Sequence, residues 1–420
     1  MTRPGEPPIA IPATARPDPA RAARFVAATI FIDAIGFGIV LPVMPALVMK
    51  LDHGTLSDAT RIGGWLWQVY AAMQFLCGPL VGGLGDRFGR RPVLLGALGG
   101  LAIDYAIVGF SPTIGWLFLG RFLAGIFGAS YGPAMAALAD ISGEEDRAKV
   151  FGWIGAAFGI GFVVGPAIGG LLGALGPRAP FYAAAALAAC NFVYGLTVFP
   201  ETLSPDQRRS LDIGRLNPLG ALRALGRAGA VLPLLVAYFF WQLAGMVYPV
   251  TWSYYAIASF GWSSTLVGVS LAIAGIGMAM GQLLLVGRIV KRLGERRAVM
   301  FGVTCATLLF AGYAVIRNEW VAFCLLLCTA LQSVVQPSLM AMMSKRVAGN
   351  QQGELQGMNA SVAAMAAILG PFLLAQPLAY FTGPHTPFYF PGAAFAVSTV
   401  MGFVTMAIIA MTPKAEPQPA

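Results

Sequence analysis

Twelve runs of predominantly apolar residues, each about the length that crosses a bilayer, leave this chain few ways to fold. They lie at 25–48, 62–84, 92–110, 114–138, 149–174, 180–199, 231–257, 264–287, 298–316, 319–343, 357–380 and 386–411. Inside lipid a helix satisfies all of its own backbone hydrogen bonds, so the runs predict an all-α integral membrane protein with twelve transmembrane helices. Composition agrees, because 57% of the 420 residues are hydrophobic and only 11% are charged, too apolar a balance for a water-soluble protein.

The only long polar interruption runs from Glu201 to about Ala230 and divides the runs six and six. It predicts an organisation in five parts: a disordered cytoplasmic tail (1–24), an N-terminal six-helix bundle (25–199), a cytoplasmic linker (200–230), a C-terminal six-helix bundle (231–411) and a short cytoplasmic tail (412–420). The tail carries Pro4, Pro7, Pro8, Pro12, Pro17 and Pro19, which oppose helix formation. No cleavage site separates the first run from the body, so it is expected to stay in the protein. Arginines and apolar positions at 217–227 suggest a short surface helix in the linker.

Charge gives the orientation. Of the 27 basic residues, 22 fall in both tails and in alternate loops, while Lys50, Arg61, Arg178 and Arg317 occupy the opposite loops and Arg121 lies inside a span. Cytoplasmic loops retain Lys and Arg, so both termini are expected in the cytoplasm of a bacterial-type inner membrane. The net charge of +9 is therefore read as orientation within a lipid bilayer and not as nucleic-acid binding.

The halves repeat. Gly82, Gly89 and Arg91 recur as Gly287, Gly294 and Arg296, and Gly165-Pro166 recurs as Gly370-Pro371, all at an offset of 205 residues. Two pseudo-symmetric six-helix bundles in parallel orientation, facing one another across a cavity, are the architecture of rocking secondary transporters. Such a molecule works on a small-molecule substrate as a monomer.

Away from their ends the spans hold three charged residues: Asp33, Asp104 and Arg121. Each costs at least about 2.5 kcal/mol at mid-membrane, so they are expected to face a cavity or one another. At about 1.5 Å per residue Asp104 and Arg121 lie at nearly the same depth, which makes an ion pair between neighbouring helices feasible. Asp33 has no partner evident in the sequence, and an unpaired carboxyl in apolar surroundings favours taking up a proton. It is the leading candidate for a proton carrier. No nucleophile with a base, no cluster of metal ligands and no appended soluble domain is present, so neither an enzyme nor a cofactor or metal is expected. Cys77, Cys190, Cys305, Cys324 and Cys328 all fall in apolar runs and are expected to be small buried hydrophobes without disulfides.

The second cytoplasmic loop reads Gly82-Gly83-Leu84-Gly85-Asp86-Arg87-Phe88-Gly89-Arg90-Arg91. It resembles the signature loop of the major facilitator superfamily, and the resemblance implies that Gly82, Asp86, Arg87, Gly89, Arg90 and Arg91 form a gating latch. Lys291 stands at the position equivalent to Asp86 in the second half, so the latch is expected to be degraded there. Arg121 with Gly125 and Gly128 is similar to the superfamily's fourth-helix motif, whose arginine is associated with proton coupling. In the fifth span Gly161, Gly165, Pro166, Gly169 and Gly170 allow close helix packing with a kink, and they resemble the motif of the antiporter branch.

Ile32-Asp33-Ala34 in the first span, Ile103-Asp104-Tyr105 in the third and Leu216-Asn217-Pro218-Leu219 in the linker look like tetracycline-type efflux proteins of the drug:proton antiporter family. The likeness runs from about Phe25 to about Met411. It implies proton-coupled efflux of tetracycline or similar amphipathic compounds by alternating access, with Asp33, Asp104 and Arg121 serving the coupling; the alternative is a transporter of a metabolite. Met278 and Ala306 stand where that family has a histidine and an acid, so the second half has no charged residue inside any span away from its ends and proton handling rests on the first. Gln282, which matches a family position, with Gln242, Trp241 and Gln336 are the candidate substrate contacts. Tyr238, Trp252 and Gln332 are the further residues expected to line a second-half cavity.

Overall fold

The computed structural model describes residues 19–141, 144–209 and 229–413. The tail before residue 19, the helix expected at 217–227 and the tail from residue 414 lie outside the described residues.

Helices occur in the order α1 (Pro19–Val40), α2 (Met44–Asp52), α3 (Leu56–Phe88), α4 (Arg90–Gly109), α5 (Ile114–Phe127), α6 (Tyr131–Ile141), α7 (Glu144–Gly173) and α8 (Ala179–Val198) in the first half. The second half has α9 (Leu232–Gly245), α10 (Val247–Phe260), α11 (Ser264–Met280), α12 (Val286–Leu293), α13 (Glu295–Val315), α14 (Glu319–Cys328), α15 (Val335–Ser344), α16 (Gln352–Thr382) and α17 (Ala393–Met411). A 3-10 turn joins α5 to α6 and another joins α14 to α15, a π-helical turn at Gly281–Leu285 joins α11 to α12, and α9 and α10 meet at Met246, so each of these pairs makes one crossing.

Two boundaries differ from expectation. The first helix starts at Pro19, not Phe25: a proline in the first turn loses no hydrogen bond and already has a helical φ. It stops at Val40, eight residues early, because Pro42 and Pro45 interrupt the hydrogen-bond ladder, and the chain resumes as the short α2. Eleven helical stretches among the described residues are long and apolar enough to cross a membrane. The twelfth crossing, α3, is 33 residues long but is diluted by Gln68, Gln74, Pro79 and its glycines. Thr55 caps it, accepting from the Asp58 N–H while the Asp58 carboxylate accepts from the Thr55 N–H.

The helices form two bundles whose meeting surfaces are α3 against α16 and α7 against α11. Within the first bundle Gly161, Gly165 and Gly169 form a stripe with a four-residue repeat that lies on the backbone of α1. A Cβ at Gly165 would fall 2.6 Å from the Ile35 carbonyl oxygen and 2.9 Å from the Gly38 Cα. Gly38 in turn seats Pro166, and Gly170 faces Gly268 of α11 across the lobe boundary. Small residues here replace side chains with backbone-to-backbone contact, the main source of helix adhesion in lipid.

The lobes are not evenly closed along their length. At the end away from the termini, Ser253 donates to the Leu41 carbonyl at 2.7 Å, Ser57 to the Ala379 carbonyl at 2.6 Å and Thr265 to the Gly170 carbonyl at 3.0 Å. At the end where the termini emerge, Gly78 and Gly82 of α3, Gly152, Gly155 and Gly159 of α7, Gly287 of α12, and Gly353 and Gly357 of α16 have no neighbour among the described residues within 4 Å of where a Cβ would stand. Among the described residues, the side-chain hydrogen bonds that join the two lobes lie at the far end.

The five cysteines are free, but none is buried, contrary to expectation: Cys190, Cys324 and Cys328 are exposed and Cys77 and Cys305 half-buried. In a membrane protein the outer surface is itself apolar, so an apolar run does not distinguish core from lipid-facing positions.

Candidate functional site

A cavity of about 380 Å³ opens inside the first lobe, lined by α1, α3, α4, α5, α6 and α7. Asp33 and Arg121 are both in its wall, with Phe37, Tyr70, Gln74, Tyr105, Tyr131 and Phe158. Asp33 makes no hydrogen bond or ion pair among the described residues and is half-buried, facing the cavity. The α7 glycine stripe fixes the register of α1 and thereby the position of this carboxyl.

Asp104 is fully buried behind the cavity wall, its Oδ2 3.4 Å from Arg121 Nη2. The pair is a single contact, not a bidentate fork, and Asp104 Oδ1 and Arg121 Nε have no hydrogen-bond partner. Gly120 brings α5 close enough for this, since a Cβ there would stand 2.8 Å from Asp104 Oδ1. Tyr70 and Gln74, one turn apart on α3, share a hydrogen bond of 3.2 Å, and the Gln74 amide also donates to the Gly128 carbonyl. The arrangement offers an unpaired carboxyl, a guanidinium, an amide and aromatic faces to one solute, the mixture that fixes an amphipathic ligand.

The candidate contacts from the second lobe are not part of this wall. Trp241 is 8% exposed and Tyr238 3% exposed, both in the lobe's apolar core, and Gln332 is buried. Trp252 is sealed, donating its indole N–H to Ser270 at 2.8 Å amid Tyr255, Tyr313 and Phe395. These large rings fill the lobe because lipid-facing helices still need a packed interior. Gln242 is half-buried at the α9–α10 junction, while Gln282, in the π-helical turn, and Gln336 are exposed. Ala306 is fully buried and Met278 is 45% exposed.

At the termini end the loop between α3 and α4 forms a network. Asp86 Oδ1 lies 2.7 Å from Arg90 Nη1, and Arg90 Nε 3.2 Å from Asp140 Oδ2. Arg91 donates to the Leu196 carbonyl at 2.8 Å, closing the end of α8, and Arg87 lies over the Phe88 ring. Gly89 has φ +106°, and a side chain there would run into the Glu201 carboxylate.

Glu201 was not singled out from sequence, although it begins the linker. It accepts the backbone N–H groups of Arg90 at 2.8 Å and Arg91 at 3.3 Å, and those of Thr202 and Leu203 at 3.0 Å. A carboxylate at a helix N-terminus satisfies free donors and complements the dipole. Replacing it by alanine is expected to cost about 1–2 kcal/mol of stability, read as a lowered thermal transition in detergent. An unchanged transition would mean that the cap is not holding α4.

In the second lobe the Asp86–Arg90 pair has no counterpart among the described residues, while the Arg90–Asp140 pair recurs with its signs exchanged. Lys291, Glu295 and Lys345 stand 205 residues after Asp86, Arg90 and Asp140, and Lys345 Nζ lies 2.7 Å from Glu295 Oε1. Arg296 donates to the Ile409 and Ala410 carbonyls, closing the end of α17 as Arg91 closes α8. Gly294 keeps a positive φ of +74°. Among the described residues no group of His, Cys, Asp and Glu is arranged to hold a metal ion.

Two facing bundles with a solute-sized cavity and charged groups in its wall define a membrane transporter. The chain belongs to the Major Facilitator Superfamily, which it matches over residues 26–371 and again over 234–420. It is 40% identical over 346 residues to the class C tetracycline resistance protein of Escherichia coli, covering 82% of this chain and 87% of that protein. With the class B protein of Escherichia coli it shares 36% identity over 345 residues, covering 82% and 85%. The fold also matches the crystal structure of the nucleoside transporter NupG, with a TM-score of 0.73 at 16% identity over 92% of this chain and 98% of that one. This is a multi-pass membrane transporter of small molecules, not an enzyme, and it is related to tetracycline efflux proteins.

Proposed function

We propose that the protein exports tetracycline or a similar amphipathic compound in exchange for protons by alternating access. The observation that carries this is the unpaired Asp33 carboxyl and the Arg121 guanidinium in the wall of one aromatic-lined cavity, with the lobes joined by hydrogen bonds at the far end. With the termini in the cytoplasm, as the basic residues indicate, the structure faces inward, ready to load solute. Asp33 takes a proton when the cavity opens outward and releases it inward, while Arg121, paired with Asp104, orients the solute. Each charge moved supplies about 2.3 kcal/mol per 100 mV, enough to drive a useful gradient.

The loop with Gly82, Asp86, Arg87, Gly89, Arg90 and Arg91 gates the inner end, and Lys291, Glu295 and Lys345 act as its counterpart of opposite sign. Glu295→Lys is therefore expected to slow transport, and the double variant Glu295→Lys/Lys345→Glu to recover it. Slowing that the double variant does not relieve would deny the pair a gating role.

Expression in drug-sensitive cells tests the reading directly. Tetracycline or dye accumulation should fall, and collapsing the proton gradient should abolish the effect. A transporter of a metabolite is the second reading, favoured by Met278 and Ala306 in place of the relatives' ionisable groups; unchanged drug accumulation with uptake or release of a metabolite would select it.

A further inference from the structure

A second space of about 40 Å³ continues from the solute cavity towards the far end. Two crossings fix its place. In the first, Asp33 lines only the cavity, Phe37 and Val40 line both spaces, and Leu41 and Met44 line only the small one. In α3, which runs the other way, the order follows descending numbers: Gln74 lines the cavity, Tyr70 both, and Trp67 and Gly63 the small space. The two spaces are therefore stacked along the helices, with Phe37 and Tyr70 at the level between them. The small space ends at the lobe boundary, where Leu41 and Ser253 are both in its wall and bond to each other at 2.7 Å.

Volume gives the two spaces different roles. The cavity is of solute size, whereas the small space holds a water but no drug-sized molecule. A solute beside Asp33 is thus closed off from the far end by two rings whose centroids lie 6.4 Å apart. Tyr70 is anchored, since its hydroxyl accepts from the Gln74 amide, which also donates to the Gly128 carbonyl. Phe37 is held by ring packing, against Trp67 at 5.5 Å and Phe162 at 6.0 Å, which a change of rotamer undoes. We infer that Phe37 and Tyr70 form an aromatic gate on the exit path, Phe37 the leaf that swings and Tyr70 the post. The leaf stands one helical turn beyond Asp33, so the carboxyl and the solute are confined together on its inner side. When the lobes part at Leu41 and Ser253, the small space opens outward, and the solute follows only after Phe37 turns aside. This second barrier keeps the cavity from being open at both ends while the lobes rock.

The inference rests on the export reading, and tetracycline flux in proteoliposomes tests the two apart. Phe37→Ala removes the leaf, so solute slips back down its gradient. Accumulation driven by a pH gradient should fall about tenfold, the change that roughly 1.4 kcal/mol of lost barrier brings, while downhill tetracycline movement is kept or quickened. Phe37→Leu, which still fills most of the space, should lie nearer to wild type. Tyr70→Ala removes the post and should slip in the same way, so the test does not hang on one variant folding. Parallel loss of uphill and downhill movement in folded variants would make the rings merely structural and overturn the gate, as would accumulation indistinguishable from wild type. A wild-type protein that moves no tetracycline in either direction would instead overturn the export reading, and the gate with it.

Discussion

Asp33→Asn should abolish uphill export, with a residual rate at least about a hundredfold below wild type, while solute binding in the cavity persists. The amide keeps the size and hydrogen-bonding capacity of the carboxyl but carries no exchangeable charge, so the solute can still bind and the protein can no longer trade it for a proton. The effect is large because Asp33 is the one acid on the cavity wall itself; Asp104 is committed to Arg121 behind it. Binding is measured by fluorescence quenching on purified protein and uphill export by accumulation in vesicles. Binding lost together with transport would make Asp33 a solute ligand instead, and uphill export persisting in the variant would remove it from the proton path.

Gly165→Leu should be equally damaging for a different reason. A Cβ at this position has no room between the Ile35 carbonyl and the Gly38 backbone, and backbone cannot swing aside as a flexible side chain can. Overpacking costs about 1–3 kcal/mol when neighbouring side chains can adjust, and more where they cannot. We expect the variant to lose most of its folded, monodisperse fraction on size-exclusion chromatography. Gly159→Ala, two turns nearer the termini end of the same helix, is the control: no described residue lies within 4 Å of the new methyl, and alanine stabilises a helix by roughly 1 kcal/mol relative to glycine. Its folded fraction should match or exceed wild type. If the two variants behave alike, the stripe is not the contact that holds α1 in register.

Much of this was legible in the sequence because a bilayer reduces folding to a count of apolar runs and their flanking charges. Asp104 and Arg121 could be paired from depth alone, since both lie on short-looped neighbouring helices and the cost of an isolated charge leaves few other arrangements. The glycines of the fifth span announced a close approach, though not that Gly161, Gly165 and Gly169 would meet α1 while Gly170 meets α11. The cavity wall was harder. Tyr70, Gln74 and Tyr105 are ordinary residues in apolar runs, and the only hint was a pair of amides, Gln68 and Gln74, in the least apolar span. Trp241 and Trp252 misled in the opposite direction: an aromatic near mid-span reads equally well as ligand contact or core, and only three-dimensional packing distinguishes them. Glu201 was hidden because its role depends on a helix start 111 residues away. The inverted second-lobe pair was within reach, since the same offset that matched the glycines also aligned Glu295 with Arg90 and Lys345 with Asp140.

The most direct test is counter-movement of solute and protons in proteoliposomes holding only this protein and a pH-sensitive dye in the lumen. An imposed pH gradient should draw tetracycline or a related amphipathic compound against its own concentration, and adding the solute without a gradient should move protons the other way. Solute flux that is indifferent to pH, with no proton movement when solute is added, would contradict exchange through the first lobe.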